Sequence, residues 1–346
     1  MDNTTFEVIR LIIIAVSSFL LALFFTPLLT KFLEKYKLVK YVEKSDAPIF
    51  NKMHKKKEGT PTMGGILVWG TVLIVILLFE FLSSLGKGTY LETLGFLSRS
   101  ETYLPLGAML VSALLGMVDD IFGILRVGAR KAGLRIREKI ILYTLVASFG
   151  AWWFYTKLDW DLIKIPFAGD FYIGLWYIPV FIFIIVATSF SSNETDGLDG
   201  LAGGVLMVAF TALGIIAFTQ GKMDLAGFCG AVIGALLAFL WYNIYPARFF
   251  LGDTGSMGLG VTLGIIAMLT NTALLLPFIG FILVFESVSV IMQTTSKKLF
   301  GKKIFISTPI HHHFEAKGWH ESKVTMRFWI ISGVMAAIGL ILYLLG

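Results

Sequence analysis

About ten stretches of this chain are apolar over a length near the roughly 20 residues a helix needs to cross a bilayer. They fall at about 8–29, 63–83, 103–118, 140–156, 174–190, 201–219, 225–244, 256–273, 276–295 and 326–345. Lipid offers no hydrogen-bond partner to bare backbone, and the runs lack the short alternation of a barrel. The expected fold is therefore an all-α polytopic membrane protein with about ten transmembrane helices. Composition agrees: 56% of the 346 residues are hydrophobic and 15% charged, against about 25% charged in a soluble domain. An ordinary soluble enzyme and a disordered chain are excluded. The single cysteine, Cys229, lies in an apolar run, so no intrachain disulfide can form. The longest polar intervals, 30–62 and 296–325, are too short to fold alone. Residues 1–346 read as one integral membrane domain without internal repeats.

Charge placement orients the spans. The chain opens Met-Asp-Asn-Thr-Thr with no basic region, unlike a signal peptide. Acid before the first span and lysines after it place the N-terminus outside. If ten spans then alternate, the inner segments hold nine lysines at 31–57, six Lys/Arg at 126–139, Arg248 and seven at 297–327. That is twenty-three of the 29 basic residues. The remaining six are Arg10, Lys87, Arg99, Lys157, Lys164 and Lys222, in or near outer segments. Both termini are expected outside, with Trp152, Trp153 and Trp176 at the outer interface. The net charge of +6 then reflects membrane orientation, and nucleic acid is not expected as a partner.

On this map the unusual polar residues gather on the cytoplasmic face. Asp119 and Asp120 end the third span; Asn193, Asp196 and Asp199 follow the fifth; Asn243 and Asp253 flank the seventh. All five histidines (His54, His311, His312, His313 and His320) are inner. Carboxylates where an apolar helix meets water are costly unless solvated, paired or holding a cation. Each cluster alone has a plain reading: a helix end held by following arginines, a turn whose aspartates cap the sixth helix, an N-cap for the eighth. All three at inner ends point instead to a site, and hard oxygen donors without cysteine favour Mg²⁺ or Mn²⁺.

Lys52, Lys55, Lys56 and Lys57 precede the second span; Arg130, Lys131, Arg135, Arg137 and Lys139 follow the aspartate pair. Most need only set topology and touch anionic lipid. One or two beside metal-holding acids make the apparatus of phosphoryl transfer. Consecutive side chains in the triple histidine cannot all face one metal, so hydrogen bonds to phosphate or sugar fit them better than zinc. A structural loop is the alternative. Glu286 is the one acid well inside a span; a structural hydrogen bond is its plainer reading, and a proton path the other.

These residues resemble the phospho-N-acetylmuramoyl-pentapeptide transferases of bacterial cell-wall synthesis, within the polyprenyl-phosphate N-acetylhexosamine-1-phosphate transferases. The likeness is carried by Gly59-Thr60-Pro61-Thr62-Met63-Gly64-Gly65, Asp119-Asp120, Thr195 to Leu201, Asn243 to Ser256, Pro309 to Glu315, and Arg327-Phe328-Trp329-Ile330-Ile331. It covers nearly the whole chain. One stretch departs: the family reads Asn-Ala-Val-Asn-Leu-Thr-Asp-Gly-Leu-Asp-Gly, whereas here Phe190 replaces the first asparagine and Glu194 an apolar residue.

The resemblance implies ten helices in the bacterial inner membrane. It implies transfer of phospho-MurNAc-pentapeptide from UDP-MurNAc-pentapeptide to undecaprenyl phosphate, giving lipid I and UMP with Mg²⁺. Carried over by position, Asp253 would be a Mg²⁺ ligand on the diphosphate, with Asp196 and Asp199 near the metal or nucleotide and Asp196 a second ligand. Asp119 would be the base that deprotonates the acceptor phosphate, supported by Asp120. His311, His312 and His313 would contact phosphate or sugar, and Lys139 would hold the diphosphate. Asn193, Asn243 and Phe250 would line the nucleotide pocket, with Lys57 and Gly252 in the substrate-binding set. A homodimer through outward-facing helices is a further expectation. The rivals are a transferase using UDP-GlcNAc, which the histidine loop and Gly318-Trp319 disfavour, and a transporter or lipid carrier without chemistry. A carrier would gather polar groups at broken helices near the midplane.

Overall fold

A computed structural model describes residues 2–39, 57, 59–86, 88, 89, 91–99, 101–128 and 133–346. Lys52, His54, Lys55, Lys56, Lys87, Arg130 and Lys131 lie outside the described residues. Long helices dominate: α1 (Asn3–Lys35), α2 (Gly65–Leu85), α3 (Tyr103–Ile124), α4 (Ile136–Lys157), α5 (Tyr177–Thr195), α6 (Leu201–Thr219), α7 (Met223–Asn243) and α8 (Gly252–Leu269). The short α9 (Leu276–Ile279) leads into α10 (Phe281–Phe300), followed by α11 (Ile310–Ala316) and α12 (Glu321–Leu345). A hairpin of β1 (Leu162–Ile165) and β2 (Gly169–Tyr172) joins α4 to α5, with Leu162 opposite Tyr172.

Among the described residues, eight helices are long and apolar enough to cross a membrane. The bent pair Ala273–Ile279 and Phe281–Phe300, which turns by 89°, makes up to nine. The fourth expected span is present as α4, but Arg137, Glu138 and Lys139 occupy its first turn, and it is not among the eight. The ninth expected span is broken rather than straight. Pro277 sits in the first turn of α9, and Gly280 separates it from α10. Helix ends also run further than hydropathy suggests: α3 continues through Asp119 and Asp120, and α5 through Asn193.

The bundle is built around α8, every residue of which is buried. Its glycines allow this. Gly65 of α2 lies so close to Gly255 of α8 that a Cβ on either would meet the other's backbone. A Cβ at Gly116 of α3 would run into the backbone of Asp253. Small residues that let helix backbones touch are the usual device for packing in lipid, where dispersion and not water provides the attraction. The consequence is positional: the aspartate-bearing turn of α3 is held against the first turn of α8. At the opposite end of the bundle, Arg10 reaches Glu7 at 3.1 Å, the Gly95 carbonyl at 2.6 Å and Asp224 at 3.0 Å, fastening α1 to α7.

Candidate active site

The start of α8 organises one end of the bundle. A helix N-terminus carries amides without intrahelical partners and favours negative charge, by about 1–2 kcal/mol when partly buried. Here the amides are met by carboxylates from two other helices. Asp120 accepts from the N–H of Asp253 at 3.1 Å through Oδ1 and from that of Thr254 at 3.0 Å through Oδ2. Asp196, at the end of α5, accepts from the N–H of Gly252 at 3.0 Å. Gly252 has φ +75°, and a Cβ there would stand 2.7 Å from both Asp120 Oδ2 and Thr62 Oγ1. Only glycine fits this turn.

Asp120 is thus engaged by backbone on both oxygens, while its neighbour Asp119 faces the cation. Lys139, on the first turn of α4, places Nζ 2.7 Å from Asp119 Oδ2 and 2.5 Å from Asp253 Oδ1. Asp119 Oδ1 also accepts from the Leu134 N–H at 2.5 Å. The Asn193 amide donates to the same Asp253 oxygen and to Ser256 Oγ, the latter at 3.1 Å. Asp119, Asp253, Lys139 and Asn193 therefore meet, the two carboxylates buried and the lysine and asparagine partly so.

A second cluster adjoins it. Lys57 pairs with Asp199 at 2.8 Å and with Glu321 at the start of α12. Asp199 accepts from the Ala247 N–H at 3.0 Å and donates its own N–H to Glu321 at 2.5 Å. The Lys57 ammonium is held above the ordinary lysine range: burial pushes it down, but the Glu321 and Asp199 carboxylates more than offset that. Its Nζ lies 5.7 Å from the centre of the half-buried Phe250 ring. Asn243 accepts from the Gly200 N–H at 2.9 Å and donates to the Phe249 carbonyl at 2.8 Å. Its amide braces the loop that carries Phe250.

The three histidines turn to three neighbours. His311 is fully buried, with Nδ1 3.0 Å from Glu286 Oε2. His312 Nδ1 lies 2.7 Å from Glu315. His313 Nδ1 accepts from the Ile306 N–H at 3.1 Å; burial and Lys317 hold its ring below the ordinary histidine range. Of the residues singled out from sequence, Asp119, Lys139, Asn193 and Asp253 form one group. Asp120, Asp196 and Gly252 build its floor, and Lys57, Asp199, Phe250 and Asn243 form the group beside it. Sequence reasoning missed Glu321 and Ser256. The first could have been suspected as an acid opening an apolar helix.

An apolar groove of about 660 Å³ opens between α4, α5 and α10. Ile136 and Ile140, which flank Lys139 on α4, line it together with Phe190 of α5 and Val284, Val288 and Ile291 of α10. Leu276, Pro277 and Gly280, at the bend between α9 and α10, line it as well. Phe190, an asparagine in the resembled motif, here belongs to the groove wall.

No group of three or more His, Cys, Asp or Glu side chains forms a ready-made metal cage among the described residues. Mg²⁺ needs no such cage: it commonly takes one or two protein carboxylates and completes its shell with water and substrate phosphate, which suits Asp253 with Asp196 on the adjoining turn.

The model of glycosyl transferase family 4 matches residues 103–271, the stretch from α3 to the end of α8. Among curated relatives, a phospho-N-acetylmuramoyl-pentapeptide-transferase of Chloroflexus aurantiacus is 38% identical over 352 residues, covering 98% of this chain and 91% of its own length. Those of Clostridium novyi (37%, 93% of each chain) and Clostridium kluyveri (38%, 95% of this chain and 98% of its own) are similar to it along the same extent.

Proposed function

The chain belongs to the phospho-N-acetylmuramoyl-pentapeptide transferases, and on that premise we propose that it moves phospho-N-acetylmuramoyl-pentapeptide from UDP to undecaprenyl phosphate, releasing UMP and leaving lipid I. The observation that carries the reading is the meeting of Asp119, Asp253 and Lys139 on a turn of α4 whose Ile136 and Ile140 line the apolar groove. An isoprenoid chain needs an apolar path, and its phosphate needs cations at the end of that path. Here Lys139 sits between Ile136 and Ile140 of the groove wall along α4. A UDP-sugar is made in the cytoplasm, so the site faces that side of a bacterial inner membrane, with ten spans and both termini outside.

In the reaction an oxygen of the acceptor phosphate forms a bond to the sugar-bearing phosphorus, and the bond from that phosphorus to the bridging oxygen breaks, freeing UMP. One diphosphate is exchanged for another. The barrier is then chiefly the repulsion between two anions, which fixed positive charge reduces. Lys139 supplies one such charge. Asp119, held by the Leu134 amide and Lys139, is placed to take the acceptor's proton. Lys57 and Phe250 offer a cation and a ring face to the nucleotide. Asp253, with Asp196 beside it, would hold Mg²⁺, which would neutralise the diphosphate.

UMP release by the purified full chain in detergent tests this, with undecaprenyl phosphate, Mg²⁺ and either UDP-MurNAc-pentapeptide or UDP-GlcNAc. Release with the pentapeptide donor alone, abolished by EDTA and restored by Mg²⁺, is expected. Release with UDP-GlcNAc alone overturns the choice of donor, and release indifferent to EDTA overturns the metal.

A further inference from the structure

Glu286 is a carboxylate set within the apolar bundle on α10, fully buried, and so is the His311 side chain it meets. Its Oε2 lies 3.0 Å from His311 Nδ1 and takes a long bond of 3.5 Å from the His311 backbone N–H. The ring contact is within ion-pair reach but lacks the alignment of a hydrogen bond, and Glu286 Oε1 and His311 Nε2 have no hydrogen-bond partner among the described residues. Buried polar atoms are rarely left so, and side chains at reaction sites commonly align only when substrate arrives.

The surroundings give this pair a direction. His311 Nε2 abuts Gly197, where a Cβ would collide with it, and Gly197 lies in the turn between Asp196 and Asp199. On the other side, Ser287 Oγ donates to Ser191 Oγ of α5 at 2.8 Å, and Ser287, Val284 and Val288 line the groove. Glu286 thus adjoins Ser287 of the groove wall in sequence and reaches the acidic turn through the imidazole.

We infer that Glu286 is a positioning residue: it holds His311 by Nδ1, presents Nε2 toward the Asp196–Asp199 turn, and ties that orientation to the wall of the acceptor groove. The inference rests on the transferase reading for its consequence in turnover, but the ring orientation does not. A carboxylate on one imidazole nitrogen fixes the proton there and offers the other nitrogen outward; for metal-bound histidines, removing such a partner costs about tenfold or more, and a loss of that order is expected here. The carboxylate does this through the ring alone, so its effect should vanish once the ring is gone.

The test uses the full chain in detergent, labelled with ¹⁵N-histidine, the His311 signals being identified by their loss in His311→Ala. Nδ1 protonation at His311 is expected in the wild type and in Glu286→Gln, whose amide oxygen can still accept, and is expected to be lost in Glu286→Leu. In single-turnover UMP release, Glu286→Leu should fall about tenfold and Glu286→Gln recover most of it. Adding Glu286→Leu to His311→Ala should cost less than about twofold more. An unchanged tautomer in Glu286→Leu, or the same fold-loss on both backgrounds, overturns the proposal. Should the leucine variant not fold, Glu286→Asp, one methylene short of the ring, is expected to show the same two losses; wild-type values there overturn it equally. A wild type that releases no UMP defeats the transferase reading, while the ring nitrogens still decide the Glu286–His311 contact.

Discussion

Asp119 and Asp120 are neighbours in sequence and do different work in the fold. Asp120 holds the first amides of α8, and Asp119 faces Lys139. Sequence shows that two carboxylates sit at a helix end, but which one meets backbone depends on how α3 turns against α8, and that is fixed by the contact at Gly116. Lys57 is similar: its partner Glu321 is 264 residues away, beyond any local pattern. The pair makes a pH prediction. Because Lys57 is held above its ordinary value, its contribution to stability is complete below about pH 10.4 and fades only as pH rises through the raised value. Lys57→Met removes it at once and leaves Asp199 and Glu321 facing each other. The variant should melt several degrees below wild type with a constant gap between about pH 7 and about pH 9, closing above about pH 10.4. Thermal unfolding in detergent checks this; a gap already closed at pH 8 would show that the ammonium is not what holds the two acids.

Among the elements, hydropathy places each long helix well, because burial in lipid is what an apolar run records. It does not place their polar ends, where Asp119, Asn193 and Asp253 continue helices past the apolar stretch. Nor does it reveal the 89° turn between α9 and α10, since Pro277 and Gly280 read equally as a loop between two spans. Yet Pro277 and Gly280 at that turn line the groove. If the groove takes the lipid acceptor, filling it should affect one substrate only. Val288→Trp is expected to raise the KM for undecaprenyl phosphate about tenfold, the effect of about 1.4 kcal/mol, with UDP-MurNAc-pentapeptide binding unchanged by calorimetry. An ordinary KM in a folded variant would move the acceptor to another face.

For the whole molecule, the asymmetry of charge and the gathering of functional groups have one cause. Site residues come from the ends of α3, α5 and α7 and the starts of α4, α6, α8 and α12, all at one end of the bundle, as alternating spans require. That much is legible from lysine and arginine placement. If the proposed ten-span arrangement holds, a reporter active only outside the inner membrane, fused to the C-terminus, should be active; a cytoplasmic signal would break it. The helix at the centre has a consequence for how the protein is made. Enclosed by protein on every side, α8 is the least apolar of the eight candidate spans; it carries Asp253, threonines and glycines where a lipid-facing helix would carry leucine. During synthesis a segment like this partitions weakly into the bilayer by itself. It depends on earlier helices already in place to receive it, so the segment that bears the chemistry enters the membrane as a guest of its neighbours.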